Sequence, residues 1–449
     1  MQGDNCGIAL GGLVREEDDV PKRRVYRFSL FQISIPSSIQ REDRHDPHTC
    51  HIYPFTTAKL VNVSHRNLSC WFANMRLQPF EMERWQSTWE NQVQYNLSES
   101  GVHPLRLSEI LDTDYTDLLN ESLGYTQTNG TIELRKTIAS YYTKATADNL
   151  LVTNGSSEAN FISLWSFLEK GAEVVVMLPN YMQIWGLSKT MQAKVKPSWL
   201  REGEDGWTVD TGSLRRIVSK RTKLIAVCNP NNPTGAVLDE EVVDQICEIA
   251  KKTGSWVLSD EVYHGAELDG KEAPTFWGRY EKVIVINGLS KAYGLPGLRL
   301  GWILTKPDLA NKLWSYHDYT TIGPSALSDH LARRVLQPET RAKILSRTRN
   351  ILTTNLPVLR DWVERNREHF SFSTPKAGAI AYLKHTLNMK SVELANRLLK
   401  EKSTLVVPGE HFGMRKYVRV GYGCQQDYLK SGLNRISELI ESSQPVSGT

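Results

Sequence analysis

The 449-residue chain lacks any apolar stretch approaching the roughly 18 residues that a membrane-crossing helix needs, so no such helix is expected. Cysteines are few: six, irregularly spaced and without a Cys-x-x-Cys pair, which indicates neither a zinc site nor a disulfide framework. No metal is expected, and reduced thiols of an intracellular protein are. An excess of one charge is missing too. With 54 basic and 50 acidic side chains the net charge is only +4, and no Lys/Arg-rich run occurs, so nucleic acid is not an expected partner. The opening MQGDNCGIALGGLVREEDD has no basic segment before its short, glycine-broken apolar run. It does not read as a secretory leader, and the cytoplasm is the default location. Internal repeats and low-complexity tracts are absent.

What is present is a globular composition. Apolar residues make up 40% and charged residues 23%, which excludes wholesale disorder. At roughly 100–200 residues per domain the length suits two or three domains. Residues 1–74 differ from the rest. They hold three of the six cysteines, four of the eleven histidines, and 9 basic against 8 acidic residues. Neither a helical period nor clean alternation runs through them, and Gln40–Cys50 (QREDRHDPHTC) is polar and breaker-rich. A disordered or loosely attached extension is one expectation; a mis-annotated one, with translation starting at Met75, is the other. From Met75 the text changes. Phe80, Met82, Trp85 and Trp89 recur at near-helical spacing and predict an amphipathic helix.

From about 150 to 305, short apolar runs alternate with helical patterns. The runs are Leu150–Thr153, Glu173–Leu178, Leu224–Cys228, Trp256–Asp260, Lys282–Asn287 and Leu300–Leu304. Glu158–Glu169 and Asp239–Lys252 read as helices between them. Unbroken Val/Ile/Leu runs suit strands buried on both faces, and strand–helix alternation means an α/β fold with a mostly parallel sheet. Helices are predicted next over Pro307–His317, Ser325–Leu336 and Glu339–Asn366, with Pro357 a candidate kink. A smaller α+β segment follows, with strands near Ile380–Lys384 and Tyr417–Val420 and a helix over Gln426–Ser443.

Three features sit at ends of predicted strands, where open α/β sheets bind ligands. Val152-Thr-Asn-Gly-Ser-Ser-Glu-Ala159 runs from strand to helix and suits an anion, or is simply a cap. Val257-Leu-Ser-Asp-Glu-Val-Tyr263 ends a strand in Asp260, an N-cap or the partner of a cationic ring nitrogen. Gly288-Leu-Ser-Lys-Ala-Tyr-Gly-Leu-Pro-Gly-Leu-Arg-Leu-Gly-Trp302 holds one lysine, flanked by Leu289 and Tyr293, with Arg299 eight residues on. A desolvated lysine has a depressed pKa and becomes a nucleophile for Schiff-base chemistry. A ligand with one phosphate, one ring nitrogen and one aldehyde satisfies all three, and pyridoxal phosphate is such a ligand.

Over about 75–442 the sequence resembles the class I/II aminotransferases, the fold-type I pyridoxal-phosphate enzymes. Cys228-Asn-Pro-Asn-Asn-Pro-Thr-Gly235, Ser259-Asp-Glu-Val-Tyr263 and Leu289-Ser-Lys-Ala-Tyr-Gly294 carry the resemblance, in the family's order and spacing. It implies a seven-stranded, mostly parallel sheet sandwiched by helices (111–325) and a smaller α+β domain (75–110 with 326–449). It implies pyridoxal 5′-phosphate as cofactor, held by Lys291 as a Schiff base (aldimine), Lys291 later moving the substrate proton. Asp260 then pairs with the ring nitrogen, Asn232 and Tyr263 bond the ring oxygen, and Tyr181 stacks on the ring. Ser156, Ser157, Ser290 and Arg299 hold the phosphate. Tyr125, in Gly124-Tyr-Thr-Gln-Thr-Asn-Gly130, reaches a neighbouring subunit's phosphate, so a homodimer with shared sites is implied. Arg419, in Tyr417-Val-Arg-Val-Gly421, clamps the substrate α-carboxylate.

Two departures stand out. Many relatives have Ser or Thr where this chain has Gly288, removing or replacing one phosphate contact. The early substrate loop, often glycine-rich, reads Asn96-Leu-Ser-Glu-Ser-Gly101. Ser98 and Glu99 are candidate substrate contacts there, Glu99 favouring a cationic side chain or standing as an exposed loop carboxylate. The implied activity is transamination between an amino acid and a keto acid. A lyase or cyclase is the alternative: Asn96–Val102 and His317–Ile322 are similar to the capreomycidine-synthase-like branch, and an aminocyclopropane-carboxylate-synthase-like lyase is a further variant. A ligand-sensing regulator with an aminotransferase-like domain is the remote one, since 1–74 lacks the basic face that a DNA-binding module needs.

Overall fold

The computed structural model describes residues 77–111, 116–203 and 206–443. The extension over 1–74 and the suggested start at Met75 lie outside them. Helix α1 (Glu81–Trp89) opens the described chain, shorter than its sequence pattern. Eight strands then build the main sheet: β1 (Leu150–Thr153), β2 (Glu173–Leu178), β3 (Lys194–Gly203), β4 (Gly206–Val209), β5 (Thr222–Cys228), β6 (Trp256–Asp260), β7 (Val283–Gly288) and β8 (Gly301–Leu304). Their order is β1-β8-β7-β6-β5-β2-β3-β4. Six strands run one way; β8 and the edge strand β4 oppose their neighbours. The sheet thus has one strand more than the seven implied, β4 extending it beside β3.

The strands are apolar on both faces because both faces are covered. Val174, Val176, Leu224, Leu258 and Ile284 pack to one side, with Ile162 of helix α2 (Ser156–Phe167) and Leu313. Val175, Ile225, Val257 and Val285 pack to the other, with Val243, Ile246 and Ala250 of helix α3 (Glu240–Thr253). Such two-sided burial is what makes a parallel strand read as a continuous apolar run. Helix α3 shows the local logic. Asp239 accepts from the Val242 amide at 2.8 Å, glutamates occupy the first turn and lysines the last, and Gly254 ends it at φ 75°.

A second, antiparallel sheet joins β9 (Phe370–Ser371), β10 (Ile380–His385), β11 (Val407–Pro408) and β12 (Tyr417–Gly421), in the order β9-β10-β12-β11. Helices α4 (Pro338–Arg365) and α5 (Gln426–Ser443) accompany it, and Trp362 Nε1 donates to Ser437 Oγ at 2.9 Å between them. Helix α4 continues through Pro357. Among the described residues no helix is long and apolar enough to cross a membrane. The carboxyl ends of β1, β6 and β7 lead into Gly155, Asp260 and Lys291, and there the candidate site lies.

Candidate active site

A cavity of about 280 Å³ gathers residues that are far apart in sequence. Ser156, Ser157, Tyr181, Asn232, Asp260, Tyr263, Ser290, Lys291 and Arg299, all expected from the motifs, line it. Leu289 and Tyr293, on either side of Lys291, are buried as expected.

One end of the cavity is built by helix α2. Its first residues are Ser156 and Ser157, whose free amides make an anion-binding terminus. Gly155 precedes them at φ 83° and ψ 162°, a conformation essentially reserved for glycine. The Arg299 guanidinium rests against it: a Cβ on Gly155 would lie 2.6 Å from Arg299 Nη2. Arg299 Nη1 donates to the Pro296 carbonyl at 2.9 Å and to Ser290 Oγ at 3.4 Å. Gly288, where the resemblance leads one to expect a hydroxyl, lies against β8. A Cβ there would meet the Leu300 carbonyl at 2.9 Å and Gly301 Cα at 3.1 Å, so the tight approach of β8 leaves no room for a side chain.

Asp260 ends β6 and is 5% exposed. Asn160 Nδ2 donates to it at 3.2 Å and the Val262 amide at 3.3 Å, two long bonds. Burial pushes its pKa up to about 6. The Tyr263 hydroxyl is buried without a well-formed hydrogen bond, and so is Asn160 Oδ1. Buried polar atoms of this kind call for a partner. Tyr181 donates to Glu83 Oε1 at 2.8 Å and meets Phe80 edge-on.

Lys291 differs from expectation. Burial acts to depress its pKa, but the Glu99 carboxylate outweighs it, and the direction is upward. Lys291 Nζ lies 2.9 Å from Glu99 Oε1, which also accepts from the Ser100 and Gly101 amides at 2.8 Å each. Lys291 in turn drives Glu99 down to about 2. Glu99 is thus a paired carboxylate on the cavity wall and not a free loop carboxylate, although 47% of its side chain remains exposed.

Arg419, on β12, is fully buried. Its acceptors are all uncharged: Asn232 Oδ1 at 2.9 Å, Gln86 Oε1 at 3.2 Å, the Ser98 carbonyl at 2.6 Å and Met82 Sδ at 3.6 Å. Its Nε has no partner. It stands behind the cavity wall formed by Met82, Gln86 and Asn232. Ser98, a candidate substrate contact, does not reach the cavity. Its hydroxyl donates to Asn96 Oδ1 at 2.7 Å, and its carbonyl supports Arg419. Tyr125 does not reach it either; it is 88% exposed, near the exposed Leu119 and Leu123.

The residues fit pyridoxal phosphate. A glycine-lined arginine at a helix N-terminus suits its phosphate, a raised and under-bonded Asp260 suits a cationic ring nitrogen, and the orphan Tyr263 hydroxyl suits a ring oxygen. Sequence reasoning missed Glu83, Gln86 and Glu90, which also line the cavity. Their spacing along α1 and onto its C-cap residue, Glu90, was the available signal.

Comparison with known proteins agrees. A family model described as aminotransferase class I and II matches residues 110–436. Capreomycidine synthase of Streptomyces vinaceus is 29% identical over 364 residues, covering 80% of this chain and 93% of that protein. The (5-formylfuran-3-yl)methyl phosphate transaminase of Methanocaldococcus jannaschii is 28% identical over 74% of this chain and 87% of its own. Among solved structures, a PLP-dependent aminotransferase from Streptococcus suis is 32% identical, with a TM-score of 0.77 over 82% of this chain and 99% of that one. The PLP-dependent cyclase OrfR is 27% identical, with a TM-score of 0.75 over 82% and 98%.

Proposed function

The chain belongs to the aminotransferase class I and II family, and from that premise we propose that it is a pyridoxal-phosphate-dependent aminotransferase acting on an L-amino acid and a keto acid. The observation that carries this is the single cavity uniting Lys291, Asp260 and the Arg299–α2 corner. When bound, the cofactor supplies an electron sink for the pair left on the substrate Cα.

The chain's own residues do the rest. Arg299, Ser156, Ser157, Ser290 and the α2 amides hold the phosphate. Asp260 keeps the ring nitrogen protonated, Asn232 and Tyr263 bond the ring oxygen, and Tyr181 faces the ring. Lys291 Nζ anchors the cofactor and then carries the Cα proton as the general base. Arg419 receives the α-carboxylate, which requires the Gln86–Asn232 wall in front of it to shift. In this reading residues 111–325 bind the cofactor, and 75–110 with 326–449 meet the substrate. The exposure of Tyr125 supports a homodimer in which it reaches the partner's phosphate. The free thiols of Cys228, Cys247 and Cys424 fit a cytoplasmic setting.

The similarity to capreomycidine synthase and to OrfR favours a second reading, elimination with cyclisation on the same scaffold. Absorbance spectra of the holoenzyme with single amino acids, and no keto acid, separate the two. An aminotransferase leaves the cofactor in its amine form until a keto acid is added. A lyase or cyclase restores the starting spectrum and releases ammonia or a cyclic product. A protein that develops no visible band with pyridoxal phosphate refutes both.

A further inference from the structure

The turn that presents Ser156 and Ser157 is held from three sides. Arg299 rests against Gly155 on one side. On another, β8 comes so close that a Cβ on Gly301 would lie 2.5 Å from the Ser156 nitrogen. The third side is a buried carboxylate, Glu158, in the first turn of α2 and 9% exposed. Its Oε2 accepts from the Asn154 amide at 2.6 Å and from His317 Nε2 at 3.1 Å. Its Oε1 accepts from the Thr321 hydroxyl at 2.7 Å and from that of Thr320. Burial acts to raise the pKa of Glu158, but these donors outweigh it and bring the group down to about 2. An ionised carboxylate only accepts, so His317 donates to it through Nε2.

Three of the four donors come from one short loop, 317–323. His317 ends the helix Pro307–His317, is fully buried, and has no partner at Nδ1. The chain then folds back, and the Thr320 and Ile322 amides donate to the His317 carbonyl at 3.0 and 3.1 Å. Ile322 takes φ 70°, which a β-branched residue keeps only where its surroundings over-determine it. The loop is bonded to the same turn a second time: Asn154 Nδ2 donates to Thr321 Oγ1 at 2.7 Å and to the Gly323 carbonyl at 3.0 Å. Main chain and side chain of Asn154 are thus both tied to 317–323, one through Glu158 and one directly. By its charge alone, Glu158 competes with any anion for this helix end. What it gives the site is therefore geometry.

Resting on the reading that this corner binds the cofactor's phosphate, we propose that Glu158 and His317 are positioning residues that set the Asn154–Ser156 turn by tying it to the loop 317–323. Neither lines the cavity, so each acts through the turn. Without the carboxylate, the Asn154 amide, the imidazole and the two hydroxyls lose their common acceptor. The turn then drifts from the place where the α2 amides and Arg299 converge. Hydrogen bonds weaken steeply with misalignment, so the loss falls on the phosphate and not on the ring.

The test is equilibrium titration of the cofactor-free protein with pyridoxal phosphate and with pyridoxal, which lacks the phosphate, and competition of inorganic phosphate against pyridoxal phosphate. In Glu158→Gln, affinity for pyridoxal phosphate and for inorganic phosphate is expected to fall about tenfold, the value of one charge-assisted hydrogen bond, while affinity for pyridoxal stays within about twofold of the parent. Thr321→Val leaves the carboxylate in place and weakens the same two ligands by a smaller factor. The double variant loses less than the product of the two factors, because both act through one network. Unchanged affinity for both phosphate ligands in Glu158→Gln overturns the proposal. So does an equal loss for pyridoxal and pyridoxal phosphate, which means a general loosening of the fold. If Glu158→Gln does not fold, Thr321→Val decides by the same two criteria. A parent protein that binds pyridoxal as tightly as pyridoxal phosphate, with no competition from inorganic phosphate, overturns the phosphate corner itself, and the proposal with it.

Discussion

Replacing Gly155 with alanine tests how the phosphate corner is held. The substitution acts twice. The backbone at φ 83° and ψ 162° is one that alanine adopts at a cost of about 1–3 kcal/mol, which lowers the stability of the whole fold. The new Cβ also lies 2.6 Å from Arg299 Nη2 and 3.2 Å from its Cζ, so the guanidinium must retreat by several tenths of an ångström. An arginine displaced this far loses at least one well-formed bond to an anion, worth about 1.5–3 kcal/mol. Cofactor affinity should therefore fall roughly tenfold to a hundredfold. Equilibrium titration of the cofactor-free protein with pyridoxal phosphate measures it. Gly171→Ala is the control: its φ is 85°, and nothing lies within 4 Å of the added Cβ. Both variants lose stability in denaturant, but only Gly155→Ala loses affinity. Equal affinity in Gly155→Ala and the parent, or equal losses in both variants, refutes the role given to the Gly155–Arg299 contact.

Two more predictions concern protons. Asp260 titrates at about 6 in the fold, above the roughly 3.9 of a free carboxylate, so the folded state takes up this proton first as pH falls. Its contribution to stability accordingly worsens as pH rises through that window and stays unfavourable above it. Asp260→Asn should flatten the stability profile of the cofactor-free protein there and raise its denaturation midpoint at neutral pH; parallel profiles refute this. Glu99 keeps Lys291 protonated to higher pH than usual. In Glu99→Gln burial dominates and the amine becomes neutral at lower pH, so the pH midpoint for reconstitution with pyridoxal phosphate should move down. An unmoved midpoint means that the carboxylate does not govern the lysine.

The central strands were legible because they are buried on both sides; Val283–Gly288, for instance, is buried at every position. Strand β3 was not, because KVKPSWLREG is exposed along much of its length and carries charges throughout. The gathering of Ser156, Asp260, Lys291 and Arg299 round one cavity was legible because each sits in a short local motif near the end of a strand. The sign of the Lys291 shift was hidden: its governing carboxylate is 192 residues away. Glu83 and Glu90 were hidden differently. Carboxylates on the polar side of an amphipathic helix ordinarily face water, and only the packing of α1 against the rest turns that side towards a cavity. The burial of Ser98 likewise depends on Gln86 and Arg419, which no local pattern connects to it.

The attachment of α1 bears on how such proteins diverge. Trp85 Nε1 donates to the Val406 carbonyl and Gln86 Nε2 to the Ser98 carbonyl, each at 2.9 Å, so much of the polar anchoring of a nine-residue helix rests on two side chains. Lys291 and Asp260, by contrast, belong to the sheet and the loop that follows it. The wall that α1 gives the cavity and the groups at the sheet's edge are therefore written in separate stretches of the gene. Mutations in α1 can reshape that wall while Trp85 and Gln86 stay fixed, and they leave the segments of Lys291 and Asp260 untouched.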